Sequence, residues 1–228
     1  MNKVIKQLQN WQVREDHPEA SRLFLRLLYL TALLNFAYLL PIADSVWGTD
    51  HFIILRDQWD GHFGHFAMLL NYPYYRAHYQ WFLYPELVLL LWGVFGRTNF
   101  ASRAAIWFLF VNLHFANPEV SNGGWHLLHH ALFFAIFFFS VDASKPVKLT
   151  LLVKNFAFYA IWIQISLVYF VAGTHKLLGR HWLAGDAIFI TLSIPEYSLP
   201  WIFNHLHTNT WWLMAATWFT LVYQICFP

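Results

Sequence analysis

Six runs of apolar residues, interrupted by short polar connections, constrain this chain more than any other feature. A helix needs about 20 mostly apolar residues to cross the hydrocarbon core of a bilayer. Only helices or closed barrels satisfy every backbone polar group there. The runs cover about Arg22 to Ile42, from near Trp81, Phe100 to Phe115, Gly124 to Val141, Leu149 to Leu178, and Thr210 to Pro228. The composition agrees: 58% of the residues are hydrophobic, 21% aromatic and 11% charged. A soluble domain carries about 25% charged residues. The expectation is an all-α protein, a polytopic bundle of about six transmembrane spans, with Pro85 and Glu86 in the first turn of the second.

Residues 1–21 are polar and of mixed charge, without the apolar stretch of a cleavable signal peptide. Trp11 among Lys3, Lys6 and Arg14 suggests an amphipathic helix on the membrane surface. The organisation read from this is an interfacial segment, 1–21, and a transmembrane domain, 22–228. The last run reaches Pro228 without a polar flank, as a shortened C-terminus would. A single cysteine, Cys226, excludes an intrachain disulfide and a thiolate metal cluster. With a net charge of +2 and no basic stripe, no nucleic-acid partner is expected. The bilayer itself is the expected partner, together with other membrane protein subunits if the chain serves as a scaffold.

Basic residues set orientation, because cytoplasmic loops are enriched in Lys and Arg. They gather in the N-terminal segment, around Arg97 and Arg103, and at Lys145, Lys148 and Lys154. The N-terminus is therefore expected on the cytoplasmic side. Three loops rich in His, Trp, Asn and acidic residues then face outward. The first, from about Ala43 to Gln80, carries Asp57, Asp60, His62 and His65; the second runs from Asn117 to His126. The third starts at Lys176, continues through Pro195 and Pro200, expected to interrupt an interfacial helix, and reaches His207.

An ionisable residue close to lipid is costly and marks a functional site by default. Tyr169, Gly173 and Lys176 recur at helical spacing and share one face, where the glycine admits a helix or ligand close to the backbone. An ammonium there can bind an anion or act in proton transfer; snorkelling, with Trp182 in an aromatic belt, is the plain alternative. His126, His129 and His130 sit at a spacing that lets their imidazoles face one way, which permits a metal such as iron, zinc or copper, or a haem. Imidazoles bonded to backbone or to one another are the other reading. Glu119, just before the Ser121-Asn122-Gly123-Gly124 turn, is a general-base candidate if buried.

Two segments resemble a family. Gln164, Tyr169-Phe170, Ala172-Gly173, Lys176-Leu177, Trp182 and Gly185 are similar to the signature of the HTTM (horizontally transferred transmembrane) family. These proteins are bacterial relatives of the vitamin K-dependent gamma-carboxylase membrane domain. The Ser121 to His126 turn and the apolar helix ending in Phe139-Ser140-Val141-Asp142 give a second match. Together they span roughly Asn99 to Ile190. The resemblance implies a shared membrane scaffold with an outward polar pocket and, by the carboxylase analogy alone, a quinone-like cofactor. The candidate catalytic residues are Lys176, Glu119 and His126, and the candidate binding residues are Tyr169, Gly173, His181, Trp182 and Asp186. The position matching the carboxylase's catalytic lysine is Glu119, so carboxylation itself is not implied. A non-enzymatic membrane subunit and a His-box metal or haem enzyme are the competing expectations.

Overall fold

The computed structural model describes residues 18–49, 69–116, 123–138, 148–194, 198 and 200–227. Every regular element among them is helical. The chain forms two compact units, Met1–Ile161 and Trp162–Pro228.

In the first unit, α1 (Pro18–Leu39) passes through a 3-10 turn at Leu40–Ile42 into the short α2 (Ala43–Trp47). Pro41 lacks the N–H that an uninterrupted α-helix would use there, so the chain tightens and continues. The outer connection expected from Ala43 onward is thus helical as far as Trp47. A 3-10 turn (Leu69–Asn71) and α3 (Pro73–Ala77) lead to α4 (Gln80–Phe95). Then come α5 (Phe100–Phe115) and α6 (Gly123–Ala135). Asn99 starts α5 with a reciprocal cap: its side chain accepts from the Ser102 N–H while Ser102 Oγ accepts from the Asn99 N–H, each at 2.9 Å. Helix α4 contacts α1 and α5, and α6 contacts α5 and α1, so the four close into a ring.

The centre of that ring is aromatic. Phe36 lies 5.2 Å from Trp125, 5.4 Å from Phe110 and 5.9 Å from Trp47, centroid to centroid. Such pairs are worth about 0.5–1.5 kcal/mol each beyond area burial. Gly93 of α4 faces Tyr29 of α1 closely; a Cβ there would stand 2.5 Å from Tyr29 Cδ2. Glu86 corrects an expectation. It does not sit in a first turn, because α4 begins at Gln80 and holds Pro85 in its interior. Glu86 is fully buried, on the same face as Leu83, Leu90 and Gly93.

The second unit contains the later part of α7 (Lys148–Leu177), followed by α8 (Arg180–Ala184), α9 (Ala187–Ser193), α10 (Pro200–Leu206) and α11 (Thr210–Cys226). Gly185 ends α8 with φ 86°, a left-handed geometry natural to glycine, and so turns the chain into α9. Pro200 opens α10 rather than interrupting a helix, as suits a first-turn proline. Helices α8, α9 and α10 each pack on α11.

Among the described residues two stretches are long and apolar enough to cross a membrane, Glu19–Trp47 and Leu149–Leu177. Helices α4 and α5 have 16 residues each, about 24 Å at 1.5 Å per residue. That is short of the roughly 30 Å hydrocarbon core. The fourth apolar run is helical as far as Ala135, and its end at Val141 lies outside the described residues; of the expected interfacial segment 1–21, residues 1–17 also lie outside them, and 18–21 form the start of α1.

Candidate functional site

Two polar clusters stand out, one in each unit. The first lies at the hairpin between α5 and α6. His114, in the last turn of α5, is only 2% exposed. Its Nε2 is 3.3 Å from Nδ1 of His126 in α6, one imidazole donating and the other accepting. His114 stacks on Trp125 at 5.6 Å and 7°. His129 stacks on Trp107 at 6.1 Å, and its Nδ1 is buried without a hydrogen-bond partner among the described residues. His130 Nδ1 bonds the His126 carbonyl at 2.7 Å.

Helix geometry explains the pairing. His114 ends one helix and His126 sits in the first turn of the next, so the hairpin returns the second imidazole beside the first. Sequence reading placed His126, His129 and His130 together and passed over His114. The available signal was Asn112-Leu113-His114, two polar groups at the end of an apolar run. His126 turns its Nδ1 to His114, and His130 turns its Nδ1 to the His126 carbonyl. Among the described residues no three His, Cys, Asp or Glu side chains form a set able to hold a metal.

Around this end the backbone is tied down by buried polar side chains. Asn112 Oδ1 accepts from the Leu69 N–H at 2.8 Å while its Nδ2 donates to the Phe108 carbonyl at 2.9 Å. Trp47 Nε1 donates to the Leu113 carbonyl at 2.9 Å. Tyr79 donates its O–H to Asp44 Oδ1 at 2.6 Å; burial first, and then this carboxylate, push the phenol up to about 12. Burial lowers Arg76, whose Nη2 reaches the Ala116 carbonyl at 3.5 Å. At the opposite end of the ring, Arg103 donates to Thr98 Oγ1 at 2.9 Å, to the Thr98 carbonyl at 3.0 Å, and to the Phe138 carbonyl. Tyr29 Oη lies 3.5 Å from Thr98 Oγ1.

The second cluster is in the second unit. Tyr169, Gly173 and Lys176 all meet α11. The Tyr169 ring is 4.8 Å from Phe227, and a Cβ on Gly173 would lie 2.9 Å from Ile225 Cγ1. Lys176 Nζ donates to Gln224 Oε1 at 2.7 Å and stands 4.8 Å from the Trp182 ring centroid. Gln224 is a partner that sequence reading missed, since nothing local links residues 48 positions apart. His181 Nδ1 is 3.1 Å from both carboxylate oxygens of Asp186, in an exposed pair that closes α8 onto the start of α9.

Helix α11 occupies the space beside Gly173 through Ile225 and Gln224, and Lys176 donates one of its three N–H bonds to Gln224. Glu119, Asp57, Asp60, His62 and His65 lie outside the described residues. No family model, curated protein or solved structure matches this chain.

Proposed function

We propose that the protein is an integral membrane bundle of six spans, built on an HTTM-like scaffold, with its N-terminus cytoplasmic. Its outward-facing histidine pair, His114 and His126, moves protons in a reaction on a lipid-soluble or peptide substrate. The polarity of the first unit supports the membrane setting. Leu27, Leu34, Tyr38, Val88, Trp92 and Phe95 point outward, whereas Glu86, Arg103, Asn112 and His114 are buried. A soluble protein does the reverse; intramembrane polar groups face the bundle interior.

The observation that carries the chemical reading is the 3.3 Å contact between a buried imidazole and an exposed one. The exposed His126 meets substrate and moves the proton, and His114, bonded to its Nδ1, holds its tautomer. Glu119 is the proposed second base, and Lys176, with His181 and Trp182, is a separate anion-binding candidate of the second unit.

Comparing membranes from cells expressing wild-type protein or His126→Ala tests this. Mass spectrometry should find a lipid or exported peptide modified only by the wild type. Identical profiles, with equal protein levels, refute it. A second reading, a non-enzymatic membrane subunit, draws support from an open apolar groove on α4 lined by Val88, Leu91, Trp92, Phe95 and Gly96. Under gentle extraction that reading predicts a co-purifying chain.

A further inference from the structure

The carboxyl of Glu86 has no role in the chemistry described above. It is 0% exposed, and neither oxygen has a hydrogen-bond partner among the described residues. An isolated carboxylate in apolar surroundings is expensive, so the group holds a proton unless a cation reaches it. Leu83, Leu90 and Gly93 share its face of α4, and that face packs on α1 and α5. Among the described residues, the buried titratable or charged groups on those two helices are Tyr29 of α1 and Arg103 and His114 of α5. Tyr29 is near enough to interact electrostatically with Glu86.

These groups lie at different depths. Gly93 meets Tyr29 at the end of the ring where Thr98 and Arg103 sit. Glu86 is seven residues back along α4, about 10 Å at 1.5 Å per residue. On α5, which returns after a short turn, His114 lies eleven residues beyond Arg103, about 16 Å away. The buried polar groups therefore step from the Thr98 end, through Glu86, to the histidine pair, inside a wall of apolar side chains. Chains of carboxylic and imidazole groups of this kind serve as proton paths in membrane proteins.

We propose that Glu86 is the relay in a proton path through the four-helix ring, joining the cytoplasmic end at Tyr29 and Thr98 to the outward histidine pair. At each transfer a carboxyl O–H bond breaks as an O–H of a bridging water or an N–H of imidazole forms, and the reverse step restores it. No other bond changes and no redox partner is needed. The path would supply or remove protons for chemistry at His126 from the opposite side of the membrane. It rests on the membrane-spanning reading, not on the identity of the substrate.

The test uses the full chain in lipid vesicles enclosing a pH-sensitive dye, with potassium and valinomycin present to balance charge. Wild-type vesicles should dissipate an imposed pH gradient faster than protein-free ones. Glu86→Gln, which keeps the shape and loses the exchangeable acid, should bring the rate down to that of protein-free vesicles. Equal rates for wild-type and empty vesicles, or for wild type and Glu86→Gln, overturn the proposal. Protease protection on the same vesicles separates failed insertion from failed conduction. If Glu86→Gln does not fold, dicyclohexylcarbodiimide on the wild type decides. Labelling of Glu86 that falls as pH rises supports a proton-exchanging acid, and absence of labelling at any pH overturns it.

Discussion

Replacing Gly93 with alanine tests the close approach of α4 to α1, and the expected sign is opposite to that of an ordinary Gly→Ala change. In a free helix the substitution gains about 1 kcal/mol. Here the added methyl would lie 2.5 Å from Tyr29 Cδ2 and 2.9 Å from Cγ. Tyr29 is 1% exposed and cannot swing into open space. Overpacking of that kind costs about 1–3 kcal/mol, so the net change is a loss of roughly 0–2 kcal/mol after the propensity gain of about 1 kcal/mol. For a chain of this size each kcal/mol moves the melting midpoint by about 2–4 °C.

Tryptophan fluorescence melts in detergent micelles supply the assay, with Gly123→Ala as control. A Cβ on Gly123 meets nothing within 4 Å, so that variant should be neutral or slightly more stable. Adding Tyr29→Leu to Gly93→Ala should recover part of the loss, because two residues in contact do not behave additively. If Gly93→Ala raises the midpoint as much as an unhindered Gly→Ala change, the α1–α4 contact described here is wrong.

Tyr79 gives a pH prediction. Its folded value of about 12 lies above the ordinary 10, so the stability it contributes is complete below pH 10 and is lost as pH rises towards 12. Unfolding followed across that window should show a steeper decline for the wild type than for Tyr79→Phe; parallel curves refute it. Gln224→Leu removes the acceptor for Lys176 and should cost about 1–2 kcal/mol, discounted from a buried charged bond because the lysine is half-buried. A midpoint unchanged from wild type would show that solvent or headgroups replace Gln224. Six spans from a cytoplasmic N-terminus bring the exposed Cys226 to the cytoplasmic side. A membrane-impermeant maleimide should then label inverted vesicles and spare right-side-out ones, and the opposite pattern contradicts the span count.

The apolar runs fixed helical structure because burying backbone without internal hydrogen bonds is prohibitive wherever side chains are apolar. The starts of α5, α7 and α11 fall within a residue of the positions read from hydropathy. The shared face of Tyr169, Gly173 and Lys176 follows from 3.6-residue periodicity alone. Which way a helix turns its faces was not legible, for a stated reason. Helix α4 is apolar on both sides, with Leu83 and Leu90 inside and Val88 and Trp92 outside, so no stripe distinguishes core from surface. Glu86 consequently read as a first-turn acid, although it stands in the interior. His114 and His126, twelve residues apart across a hairpin, and Lys176 and Gln224, on different helices, are joined by helix packing. Periodicity determines the rows of side chains along each helix; only the close approach of one helix to another decides which rows meet.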